Sequence, residues 1–168
     1  NNVVYKINST GTSATWNVTG ILASAGYGDK FYFNSVHLSG QVANSSTGLV
    51  AAFANGDANI TSVCTNIDVR NNSFSLTGSS ATAGGNFWAY YTNATTLAGS
   101  TLNYNDLYCN GTGATNNVGR FNSVNYATLP LWQAATSQDA NSIAVDPSYN
   151  STTNLVPQLG SPLVGAGN

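Results

Sequence analysis

Apolar residues come in short runs along this chain, at 3–7, 14–18, 31–42, 49–54, 60–69, 87–91, 102–108 and 118–126, each bounded by clusters of Gly, Asn, Ser or Thr. Alternating or continuous apolar runs of this length, punctuated by turn formers, predict many short strands. One stretch reads differently. Over 128–136, Leu131, Ala134 and Ala135 recur at helical spacing, Thr128 stands at the cap position and Pro130 falls in the first turn, where proline is tolerated. The polar Ser137-Gln138-Asp139 should end that helix.

An internal echo organises the strands. Val69-Arg-Asn-Asn72-Ser-Phe74, followed by Thr77-Gly78, resembles Asn103-Tyr-Asn-Asp106-Leu-Tyr108, followed by Gly111-Thr112, at an offset of 34 residues. In both, a strand runs into an Asn-rich corner and then an aromatic. Stacked coils of a solenoid produce such echoes, because equivalent corners lie above one another and can share an asparagine ladder. An all-β sandwich with Asn-rich turns is the alternative architecture.

Composition changes the picture in two ways. Only ten of 168 residues are charged, with no Glu and no Met, which excludes most helical architectures. Asn, Ser and Thr number 24, 19 and 19, yet hydrophobic residues still make up 42% of the chain, as in a folded domain with an uncharged polar surface. The expectation is a single domain over 1–168. Four scattered basic residues and a net charge of −2 argue against nucleic acid and anionic membrane as partners, and no apolar run is long enough to insert in a membrane. No stretch reads as a signal peptide, and the absence of Met suggests a mature or excised piece.

The C-terminal third carries a resemblance. Tyr104-Asn-Asp-Leu-Tyr108, Val118-Gly-Arg120, Tyr126-Ala-Thr-Leu129, Leu131-Trp-Gln-Ala-Ala-Thr136, Gln138-Asp-Ala-Asn-Ser-Ile143, Val145-Asp-Pro147 and Leu159-Gly-Ser-Pro-Leu163 together resemble the end of a right-handed parallel β-helix domain of bacterial cell-surface and secreted proteins. The resemblance spans about residues 100–168. Where that family often has an Asp three places after the Pro of Ser-Pro, this chain has Gly165, so no role of that Asp carries over. The resemblance implies an all-β fold, a right-handed parallel β-helix with one short helix near 128–136. The scarcity of charge agrees, since like charges stacked every ~4.8 Å repel whereas Asn, Ser and Thr hydrogen-bond along the stack.

Many β-helix proteins cleave polysaccharides, which makes the acids of this chain the first candidates for chemistry. Glycoside hydrolysis needs two carboxyl groups roughly 5 to 9.5 Å apart. Of Asp29, Asp57, Asp68, Asp106, Asp139 and Asp146, only the last two lie close in sequence, and the echo stacks Asp106 on Asn72 and Asp68 on Leu102. Asp68 and Arg70 share a strand face and read as a surface ion pair. His37, the single histidine, faces opposite to Val36 and Leu38 and reads as solvent-facing, with no metal site and no cofactor. No Gly-X-Ser-X-Gly elbow presents a serine. Cys64 and Cys109 are expected to remain unjoined, because the echo places Cys109 against Ser75, eleven residues past Cys64.

Aromatics are the remaining lead. In a regular strand Trp88 and Tyr90 share one face and Phe87, Ala89 and Tyr91 the other, making Trp88 and Tyr90 the candidates for stacking on a glycan. Eight Asn-X-Ser/Thr sequons, at Asn8, Asn17, Asn44, Asn59, Asn71, Asn93, Asn110 and Asn150, are candidate glycosylation sites; composition alone gives about five or six. The expected function is an extracellular structural module of a surface layer, adhesin or fibre, without catalysis and assembling end to end through open sheet edges. The alternative is a carbohydrate-binding or degenerate polysaccharide-processing β-helix. Ice binding ranks third, because Thr10-Gly-Thr12 has no regular successors.

Overall fold

Up to residue 121, strands pair with strands one pass further along the chain, rather than with their neighbours in sequence. The computed structural model describes residues 2–9, 18–42, 48–56, 62–81 and 84–167. The protein is all-β with one short helix. Strands β1 (Val3–Tyr5), β4 (Ser35–Leu38), β8 (Ser73–Leu76) and β12 (Asp106–Cys109) form a first parallel sheet, in that order. A second consists of β2 (Val18–Ala23), β6 (Leu49–Asn55), β10 (Gly85–Thr92) and β13 (Ala114–Phe121), all parallel, closed by antiparallel β14 (Val124–Tyr126). A third holds β3 (Lys30–Tyr32), β7 (Asp68–Arg70) and β11 (Thr101–Asn103). The two-residue strands β5 (Gln41–Val42) and β9 (Ser79–Ser80) pair in parallel as well. The chain thus visits second, third and first sheet in turn on successive passes.

The corner between third and first sheets is built from two stacked rows. Phe33, Asn71 and Tyr104 all adopt left-handed backbone, with φ of 56°, 58° and 55°. Behind them Asn34, Asn72 and Asn105 are buried and form the expected ladder, though at separations of 38 and 33 residues rather than 34. Asp106 therefore pairs with Ser73, Asp68 with Thr101 and Cys109 with Leu76, each one place from the echo reading. Each asparagine Oδ1 accepts from both the backbone N–H and the side-chain amide of the rung before it, starting at Asn2. Asn105 passes the chain on to the carboxylate of Asp139 at 3.0 Å. After the first sheet comes a glycine row, Gly40, Gly78 and Gly111. A Cβ on Gly78 would lie 2.4 Å from the Gly40 carbonyl oxygen, and one on Gly111 2.6 Å from that of Gly78.

Alternation breaks at one rung of the second sheet. Pairing skips Gly20, Ala52 and Ala89. Val50, Ala52 and Phe53 all join the main core, as do Phe87, Ala89 and Tyr90, while Ala51, Ala54, Trp88 and Tyr91 turn to the opposite side. Trp88 and Tyr90 therefore do not share a face, because two consecutive residues, Ala89 and Tyr90, point inward at that rung. Inside, Phe53 stacks on Phe74 and Tyr90, both at 5.1 Å.

Helix α1 (Leu129–Thr136) lies over the late end of the core. Thr128 takes extended backbone at the cap position but makes no side-chain cap bond, and Ser137 closes the helix in left-handed conformation. Its buried residues are Trp132 and Thr136, whereas Leu131, Ala134 and Ala135 are exposed. Trp132 lies wholly in the core against Tyr90, with room only because position 119 is glycine: a Cβ there would come 2.5 Å from the indole. The remaining strands, β15 (Tyr149–Ser151) and β16 (Asn154–Pro157), make an antiparallel hairpin.

Candidate functional site

The outer side of the first sheet is polar but covered. Val36, Phe74 and Leu107 point into the core, so alternation turns Ser35, Ser73 and Asp106 outward in one row and His37 and Ser75 in the next. The C-terminal segment 143–167 lies over these rows. Ile143 pairs with Asp106, and Tyr149 packs edge-on against His37 at 5.6 Å. His37 is accordingly buried, not solvent-facing: it points opposite to Val36 and Leu38 as alternation requires, but a segment more than a hundred residues later covers that face.

His37 Nδ1 lies 2.7 Å from Ser75 Oγ, and Nε2 lies 3.4 Å from Thr77 Oγ1. Ser75 donates its own hydroxyl proton to the Val36 carbonyl at 3.1 Å, so it accepts from Nδ1–H and leaves Nε2 as the acceptor. Burial holds the His37 pKa below its ordinary value, with Asp146 pulling it the other way. A Ser, a His and an Asp are thus gathered here, yet the arrangement is not nucleophilic. Attack requires the serine proton to go to imidazole, and Ser75 is fully buried with its proton on a carbonyl.

Asp106 is 2% exposed. Its Oδ1 accepts from the Val145 backbone N–H at 3.2 Å and its Oδ2 from Ser73 Oγ at 3.1 Å. Burial pushes its pKa up to about 7 against these two donors, and the charge of Asp146 adds to the rise. Asp106 thus has a carboxylate neighbour, supplied by the covering segment and not by the adjacent pass. The Tyr149 hydroxyl is buried beside the Ser35, Ser73 and Ser75 hydroxyls. Two openings flank the segment, one of about 390 Å³ lined by His37, Thr77, Asp146, Tyr149 and Gln158, the other of about 270 Å³ lined by Phe33, Asn71, Tyr104, Asp106 and Leu163.

Asp139, the other buried acid, ends the asparagine ladder. It accepts from Asn105 Nδ2, from Ser142 Oγ at 2.6 Å and from Trp132 Nε1 at 2.8 Å. Burial drives its pKa up, and the three donors oppose the rise. These contacts spend both oxygens on holding α1 and the ladder together.

On the third sheet, Asp68 and Arg70 form the expected ion pair at 2.5 Å, joined by the Tyr32 hydroxyl. Burial works against the charge on Asp68, but hydrogen bonds from Arg70 and Tyr32, with the charges of Arg70 and Lys30, hold its pKa below the usual range. Tyr27 and Phe33 on the same pass are 77% and 57% exposed. By contrast, Tyr90 is fully buried, and Trp88 is 7% exposed with its Nε1 donating to Asn125 Oδ1. Neither offers an open ring face.

Both cysteines are free thiols. Among the described residues, no group of three His, Cys, Asp or Glu is gathered as a metal site would require, and no helix is long and apolar enough to cross a membrane. Of the sequons, Asn8, Asn110 and Asn150 are exposed and Asn71 and Asn93 half-buried; Asn17, Asn44 and Asn59 lie outside the described residues, as does Thr10-Gly-Thr12. Asn93 accepts from Tyr91 and Arg120. No protein-family model, curated protein or solved structure matches the chain.

Proposed function

We propose that this chain is a structural module of an extracellular assembly, its three parallel sheets forming the sides of a right-handed parallel β-helix. The hand follows from the strong preference of parallel crossover connections for right-handedness. The observation that carries the reading is where the polar groups go. Asn34, Asn72, Asn105 and Asp139 are buried in a ladder that ties each pass to the next, and the single Ser–His pair spends its proton on the backbone. Such investment serves stiffness along the stack rather than turnover.

Contact with other subunits runs through one end. The late end is covered by β14, α1 and the backbone of Asp139 and Ile143, which bond Leu102, Asn105 and Leu107. The early edges of β1, β2 and β3 have no strand partner among the described residues. This arrangement favours a terminal module that receives another sheet edge at its early end over a head-to-tail filament. A low charge count and exposed sequons suit a cell-surface setting. The second reading is glycan binding on the third sheet, favoured by exposed Tyr27 and Phe33 flanking the Tyr32–Asp68–Arg70 cluster.

A polysaccharide panel tests both readings, using product release for catalysis and calorimetry for binding. A structural module releases no product and binds no glycan. Saturable binding abolished by Tyr27→Ala and Phe33→Ala establishes the second reading instead, and product release lost in Asp106→Asn overturns both.

A further inference from the structure

We propose that the segment 143–167 is a proton-controlled latch over the outer face of the first sheet, held shut in acid while Asp106 carries a proton and loosened as the pH rises toward neutrality. The segment is built to move as a unit. Its hairpin is closed by internal bonds, Gln158 N–H to the Ser148 carbonyl, Gln158 Nε2 to the Tyr149 carbonyl and Ser161 Oγ to the Pro147 carbonyl. Past Ile143, a hydrogen bond fastens it to the sheet, from the Val145 backbone N–H to Asp106 Oδ1. Further contacts among the described residues include the Tyr149 ring against His37, the Tyr149 hydroxyl beside Ser35, Ser73 and Ser75, and the run of Leu163, Ala166 and Gly167 along the groove beside Phe33 and Tyr104.

The titratable groups facing Asp106 are Asp146 and Tyr149 on the segment; His37 on the sheet faces the same Asp146. With the segment shut, an ionised Asp106 has two donors, no cation among the described residues and a like charge in Asp146. Lifting the segment admits water and returns the carboxyl to ordinary acidity. The shut form keeps its proton up to about pH 7 whereas the open form loses it near 3.8, so opening gains about tenfold per pH unit between these limits and levels off above. His37 acts in the opposite sense. Its pKa is lowered when shut, so protonation below about 6.5 favours opening; this smaller effect blunts the acid side. Release uncovers the two rows formed by Ser35, Ser73 and Asp106 and by His37 and Ser75.

Hydrogen exchange read by mass spectrometry, corrected for intrinsic exchange rates, tests the latch on the whole chain. In wild type, peptides from 145–160 should open about a hundredfold more readily at pH 7 than at pH 4.5, while the β10 peptide shows no matching change. Asp106→Asn, which retains an acceptor for Val145 N–H, should abolish the rise. Asp146→Asn, at an exposed site that does not endanger folding, should shrink the rise by removing the like charge, and His37→Gln should leave it in place. Protection of 145–160 that stays constant with pH, that changes in parallel with β10, or that rises equally in Asp106→Asn and Asp146→Asn overturns the proposal.

Discussion

Asn72→Ala removes the middle rung of the asparagine ladder and tests how much that ladder holds. Asn72 Oδ1 accepts from the Asn34 backbone N–H at 2.9 Å and from Asn34 Nδ2 at 2.8 Å. Its Nδ2 donates to Asn105 Oδ1 at 3.0 Å and to the carbonyls of Phe31 and Arg70 at 2.9 and 3.0 Å. Alanine keeps the backbone N–H bond to Asn105 Oδ1 but loses all of these. A typical hydrogen bond contributes about 1 kcal/mol net, and a buried group left without a partner costs about 1–3 kcal/mol. Asn105 Oδ1 keeps one donor, and the neighbouring groove of about 270 Å³ lets water reach part of the site. The expected loss is therefore about 4 kcal/mol, a large share of the roughly 5–15 kcal/mol that a domain has. Asn2→Ala is the internal comparison. Asn2 is exposed, its backbone N–H still reaches Asn34 Oδ1, and the loss should stay below about 1 kcal/mol. Urea unfolding followed by tryptophan fluorescence measures both, with the slope on denaturant unchanged. A loss under about 1 kcal/mol for Asn72→Ala, or equal losses at the two positions, would refute the view that the buried ladder ties the passes together.

Gly78→Ala should destabilise by about 1–3 kcal/mol in the same assay, because its Cβ meets the Gly40 carbonyl oxygen at 2.4 Å and backbone must shift. Trp132→Ala should cost about 3–5 kcal/mol, since it empties the cap of the core and strips Asp139 of one donor. Arg70→Ala should lower the unfolding midpoint only slightly, by about 1 kcal/mol at most, as its ion pair is partly exposed. Thiol titration of the denatured chain should find two free thiols. In the native chain Cys109 should label slowly at pH 8, because burial pushes its pKa up to about 12.

The whole-chain pH profile separates the buried acids from the half-buried Asp68. The folded pKa of Asp106 is raised, so the stability tied to it is present below about pH 4 and lost as pH climbs through about 7. The span is about 4 kcal/mol at most. Asp139 shifts the same way, whereas Asp68, with a lowered pKa, contributes stability that is lost only as pH falls below about 4. Urea midpoints from pH 4.5 to 8 should therefore fall in wild type and fall less in Asp106→Asn.

What the sequence determined by itself was local. Short apolar runs between turn formers mark the strands, Pro130 and the Leu131-to-Ala135 spacing mark the helix, and Asn-rich corners mark the ladder, because each depends on residues within a few places of one another. The ion pair of Asp68 and Arg70 was legible for the same reason, since two residues two apart on a strand must share a face. The tertiary structure decided the rest. Passes of 32, 38 and 33 residues leave no fixed period to read, so the echo aligned Asp106 with Asn72 instead of Ser73. A break in alternation shared by stacked strands places Tyr90 in the core, and strict alternation read within one strand does not report it. The covering of His37 and the pairing of Asp106 with Val145 and Asp146 depend on where the last segment lies down. Burial of an outward face is set by what arrives from elsewhere in the chain, and alternation along the strand carries only the direction in which a side chain points.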